Sequence, residues 1–115
     1  MTIPDIEDEV IVVTAKPVPS TKRKRQPPYV VIVENDDLHT FDYVIETLSK
    51  VCGHSLQQAF LLAVEIHTQG KAAVWTGTME LAELKRDQIR GRGPDLFAAK
   101  PVTFPLGVYI EPLPQ

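Results

Sequence analysis

Cysteine is almost missing from this chain of 115 residues: Cys52 stands alone, so no internal disulfide can brace the fold. It falls on the apolar side of a predicted helix, where small buried thiols are common, and a reducing, cytoplasmic setting is expected. Long hydrophobic runs are absent too, and no stretch approaches the ~20 apolar residues of a membrane-spanning helix. The opening MTIPDIEDEV has acids and a proline where a secretory signal needs a basic and then an apolar region, so an unprocessed protein away from membranes is expected. Positive charge is scarce: 12 Lys and Arg face 15 Asp and Glu, a formal net charge of -3. Such a balance argues against nucleic acid as the general partner. The length leaves room for one small domain.

What is present divides at Pro28. Residues 1–28 run from an acidic patch through the short apolar Val10–Val13 to the basic run Lys22–Arg25 and Pro27-Pro28. With no apolar face to offset the entropy of ordering, they are expected to form a flexible arm, with Val10–Val13 as a transient strand. The basic run is read first as a solvated tail, with a nucleic-acid or ribosome-associated role as the alternative.

Residues 29–115 carry the domain. YVVIVE is β-branched and aromatic, as a strand should be. Phe41, Val44, Ile45, Leu48 and Val51 or Cys52 recur at helical spacing up to Gly53. Ser55 with Gln58 reads as a capping box opening a second helix, whose shared face holds Leu56, Ala59, Phe60, Ala63, Ile66 and His67 before Gly70. KAAVWT reads as a strand, and Thr78 caps a third helix with Leu81, Leu84 and Ile89 inward and Glu80, Glu83, Lys85 and Arg86 outward. A loop with Gly and Pro leads to a last strand within VTFPLGVYIE, where Pro105 is tolerated only at an edge or bulge. The order β-α-α-β-α-β predicts an α+β fold: helices on one face of a three-stranded antiparallel sheet.

Few residues offer chemistry. Ser55 is explained as a cap and Cys52 as core, and neither sits in a glycine-rich elbow, so a nucleophilic enzyme is not indicated. Asp36, Asp37, His39, His54 and His67 show no His-x-x-x-His pair and no EF-hand glycine, so no metal is expected; nor is a cofactor, for want of a phosphate-binding loop. Asn35-Asp36-Asp37 before a helix satisfies its free N–H groups, yet three such residues exceed what a cap needs. His67 on an apolar face reads by itself as a hydrogen-bonded core residue. Both features gain meaning if they face each other. In this topology the loop after the first strand and the middle of the second helix can do so.

VIVENDDLHTFDYVIETL and AVEIHTQGKAAVWTGTMELAELK together resemble the bacterial ATP-dependent Clp protease adaptor family, ClpS, over about Tyr29 to Lys85. The resemblance implies a non-enzymatic adaptor, a cytoplasmic monomer that binds the free α-amino group and bulky apolar first residue of N-degron substrates. It would deliver them to the N-terminal domain of a ClpA-like or ClpC-like AAA+ unfoldase. By position it assigns the α-amino group and first peptide bond to Asn35, Asp36, His39 and His67. The apolar pocket falls to Phe41, Val44, Ala63, Ile66 and Leu106, and the unfoldase contact to Glu80 and Lys85. Asp37 is read as turn or cap. The family's Thr-Pro is replaced here by His39-Thr40, its two gating methionines by Phe41 and Ala63, and a few extra residues precede the last strand. These departures leave open a regulator that docks on the unfoldase without binding degrons.

Overall fold

The computed structural model describes residues 26–114. The strand expected at Val10–Val13 and the basic run Lys22–Arg25 lie outside the described residues. Strand β1 (Tyr29–Glu34) is followed by helices α1 (Phe41–Cys52) and α2 (Leu56–Gln69), strand β2 (Lys71–Gly77), helix α3 (Met79–Arg90) and strand β3 (Gly107–Pro112). This is the expected order. The three strands form one antiparallel sheet in the order β2-β1-β3. As the central strand, β1 is apolar at four successive positions, Val30 to Val33, all buried. Val31 and Val33 meet Leu48, Ala59, Ala63, Ile66, Ala82 and Ile89 in one core, which places the helices on a single face.

Local chemistry sets the helix ends. Thr40, Ser55 and Thr78 each adopt extended backbone and accept the amide three residues on with the side-chain oxygen. Gly53 and Gly70 close α1 and α2 at φ 76° and 90°, a region where a Cβ is costly.

Three expectations change. Leu81 and Leu84 point outward, 47% and 48% exposed, and the inward positions of α3 are Ala82 and Ile89. Seven residues bring a helix back to nearly the same direction, so Ala82 and Ile89 share a face that excludes both leucines. On α2, Leu56 and Phe60 are exposed as well, and Leu62 takes their place in the core beside Ala59, Ala63 and Ile66. The last strand starts only at Gly107, beyond Pro105, because proline supplies no ladder N–H. Val102 pairs instead with Asp95 in an isolated antiparallel bridge.

Candidate functional site

The loop leaving β1 is tied to the end of α2 by one backbone bond, Asn35 N–H to the Gly70 carbonyl at 2.9 Å. His67 lies three residues before Gly70, so this bond brings the acidic loop and the histidine to one place. A cleft of about 300 Å³ opens there. Asn35, Asp37 and His67 line it together with Leu38, His39, Thr40 and Phe41, and buried Val44, Ala63 and Ile66 form its apolar floor. The Phe41 ring stands edge-on to His67 with centroids 5.5 Å apart and 6.4 Å from Phe60, closing one side.

Asp36 and Asp37 are placed differently. Asp36 builds the turn: its Oδ1 accepts the amides of Leu38 and His39, each at 2.9 Å, and its Oδ2 lies 2.5 Å from His39 Nδ1. Burial draws its pKa upward, but these amide bonds and the His39 ring outweigh that, and the carboxyl sits below the ordinary aspartate value. Its oxygens are thus already engaged, and it is not among the residues lining the cleft. Asp37 lines it instead, with φ of 64°, a left-handed conformation that aspartate tolerates better than most residues. Asn35 Nδ2 donates to Asp37 Oδ1 at 2.7 Å. Asn35 Oδ1 accepts the Asp37 amide at 3.4 Å, and both residues share the cleft lining with His67.

The His39 side chain is turned away from solvent, only 1% exposed. Its Nε2 lies 3.0 Å from the Phe104 carbonyl, and its ring stacks on Tyr43 and meets Phe104 edge-on. Both ring nitrogens face acceptors, so each contact is a hydrogen bond whenever that nitrogen carries a proton. The imidazole therefore pins the loop to the segment between α3 and β3. Leu106, expected in the pocket wall, belongs to the core under that segment and does not reach the cleft.

Sequence reasoning missed the other half of this attachment. Asp95 is fully buried, and its carboxylate accepts the Thr40 amide at 2.7 Å, the Thr40 hydroxyl at 3.3 Å and the Phe97 amide at 3.0 Å. Tyr43 donates its hydroxyl to the Gly93 carbonyl at 2.7 Å; burial raises its pKa, so it stays a donor at neutral pH. Arg92 reaches Glu46 and Thr47 on α1. An aspartate just after Gly93-Pro94 was the one visible signal, and it does not reveal a partner 55 residues away.

On α3, Glu80 is exposed beside Leu81 and Leu84, whereas the Lys85 ammonium is engaged by the Val51 carbonyl at 2.8 Å and lies over the Trp75 ring. Among the described residues no group of three or more His, Cys, Asp or Glu is arranged to hold a metal, and no helix is long and apolar enough to cross a membrane.

A family model described as ATP-dependent Clp protease adaptor protein ClpS matches residues 24–98. The chain belongs to the ClpS family. It is 45% identical over 74 residues to the ClpS adapter protein of Nostoc sp., an alignment covering 64% of this chain and 76% of that one. To the ClpS adapter protein of Synechocystis sp. it is 43% identical over 75 residues, again covering 64% and 76%. Among solved structures it is similar to Agrobacterium tumefaciens ClpS2 bound to L-phenylalaninamide, with a TM-score of 0.63 at 26% identity, covering 77% of this chain and all of that one. The match to the ClpS model ends before residues 99–106, which follow the Asp95 latch.

Proposed function

We propose that this ClpS-family chain is a non-enzymatic adaptor that captures the free α-amino group and bulky apolar first side chain of a substrate and hands it to a Clp unfoldase. One observation carries the reading: a single cleft joins Asn35, Asp37 and His67 at its polar end to an apolar floor of Val44, Ala63 and Ile66. An α-ammonium has three donors and one positive charge, and that polar end supplies acceptor oxygens and a carboxylate. The likeness to a ClpS2 that binds L-phenylalaninamide, itself a free amine beside an aromatic side chain, supports the same assignment. The role given by resemblance to Asp36 passes to Asp37, because Asp36 spends its oxygens on the turn. His39 also lines the cleft, and its imidazole pins the loop that carries the clamp. Unfoldase docking is assigned to the outer face of α3, where Glu80 stands beside the exposed Leu81 and Leu84, with Lys85 at its edge.

Titration with a Phe-initiated peptide, free or N-acetylated, tests this. Acetylation removes the charge and two donors. With charge-assisted bonds worth about 1.5–3 kcal/mol each, affinity should fall by at least about tenfold. His67→Ala should weaken the free peptide and leave the acetylated one unaffected. Equal affinities for free and acetylated peptide would reject the function.

A further inference from the structure

A second groove, of about 320 Å³, lies beside the first and shares Leu38 with it. Its remaining walls are Lys100, Pro101, Val102, Thr103 and Phe104. Leu38 and Phe104 are 59% and 44% exposed, so two large apolar side chains face the opening. These walls are anchored. Asp95 and Val102 exchange backbone hydrogen bonds at 2.8 and 3.2 Å, Asp95 holds Thr40, and the Phe104 carbonyl lies against the His39 ring. The wall residues 100–104 lie beyond the stretch matched by the ClpS model.

Resting on the amine-capture reading above, we propose that Leu38 and residues 100–104 form a second subsite for the same peptide, one that takes a large apolar side chain following the first residue. The occupant follows from continuity between the grooves. A peptide held by its first residue extends only ~3.3–3.6 Å per residue, so its second side chain must lie next to the first cleft. Phe41, packed against His67 and Phe60, closes one side of that cleft, and Leu38 is the wall common to both grooves. Lys100 at the rim is exposed and forms no ion pair among the described residues. A carboxylate next along the peptide is therefore favoured over an ammonium.

The full-length chain is titrated with free-amine peptides that begin Phe-Leu or Phe-Ser and are otherwise identical, with N-acetylated versions beside them. A half-buried leucine should favour Phe-Leu by about fivefold to tenfold, and Phe104→Ala should reduce that ratio below about twofold. Because Phe104→Ala also loosens the packing around His39, Lys100→Glu supplies a surface variant. The parent should prefer Phe-Leu-Asp over Phe-Leu-Lys by about twofold to fivefold at low salt, and Lys100→Glu should reverse the order. Free peptides that outbind acetylated ones but show no preference between Leu and Ser would overturn the subsite and leave the amine clamp standing. If acetylated and free peptides bind alike, clamp and subsite fall together.

Discussion

Removal of the Asp95 carboxylate should unfasten the binding loop and destabilise the whole domain. Asp95 is fully buried and answers three donors: the Thr40 amide and hydroxyl and the Phe97 amide. The Thr40 amide sits at the entrance to α1, where no backbone carbonyl of the helix can take it. In Asp95→Ala this amide loses its acceptor, and burial keeps water from replacing the carboxylate fully. Hydrogen bonds to charged groups contribute about 1.5–3 kcal/mol and an unsatisfied buried donor costs about 1–3 kcal/mol, so the three contacts, which share one side chain and do not add, predict a loss of about 2–4 kcal/mol. For a domain of this size each kcal/mol lowers Tm by about 4–8 °C, and calorimetry should show a drop of about 8–32 °C. Asp95→Asn keeps one acceptor oxygen and should fall between the parent and Asp95→Ala. Because the loop carries Asn35 and Asp37, peptide affinity should drop in parallel at temperatures where the variant is still folded. A Tm within about 3 °C of the parent would show that water or a rearranged loop takes over from the carboxylate, and the latch would not be a source of stability.

Two further outcomes follow from ionisation. The Asp36 carboxyl lies below its ordinary value of 3.8, so the folded state binds its proton less readily than the unfolded chain does. Its contribution is then present above that value and lost as pH falls through the lower folded-state pKa. Denaturant titrations from pH 6 down to pH 3 should show stability declining with acid, and Asp36→Asn should flatten that decline; identical slopes in parent and variant would refute it. Burial pushes the Cys52 thiol up to about 11, with Lys85 acting in the opposite sense to a smaller degree. At pH 8 the thiolate is about a hundredfold scarcer than for a free cysteine, so alkylation of the native protein should be slower by about that factor. A native rate within tenfold of the unfolded one would contradict the burial seen here.

Most of the fold was legible because its signals are local. Thr40, Ser55 and Thr78 each reach an amide three residues away, and Gly53 and Gly70 end their helices by their own backbone preference. Where local pattern was ambiguous, the reading slipped. Helix α3 has few apolar residues, and Leu81 with Leu84 offered a plausible inward pair at helical spacing. The small Ala82 carries no such signal, yet it is fully buried in the core. At the site, residue types were readable but directions were not. Asp36 and Asp37 are neighbours with the same side chain, and only the left-handed backbone at Asp37 decides which faces the cleft. Asp95 and His39 depend on partners 55 and 65 residues away in sequence, a separation at which no periodicity speaks.

Two of the departures from the resembled ClpS pattern, His39-Thr40 for Thr-Pro, are explained by the segment after α3. Thr40 has φ of -79°, which proline also adopts, so the exchange does not alter the path of the backbone. What it restores is an N–H, and that N–H is the one Asp95 accepts. A threonine at position 39 would be too short to reach both the Asp36 carboxylate and the Phe104 carbonyl, as the imidazole does with its two nitrogens. Residues 39 and 40 thus each have a partner in the segment after α3. Both latches hold residues that line the cleft with Asn35, Asp37 and His67. The segment after α3 thereby fixes His39 and Thr40 at the edge of the cleft.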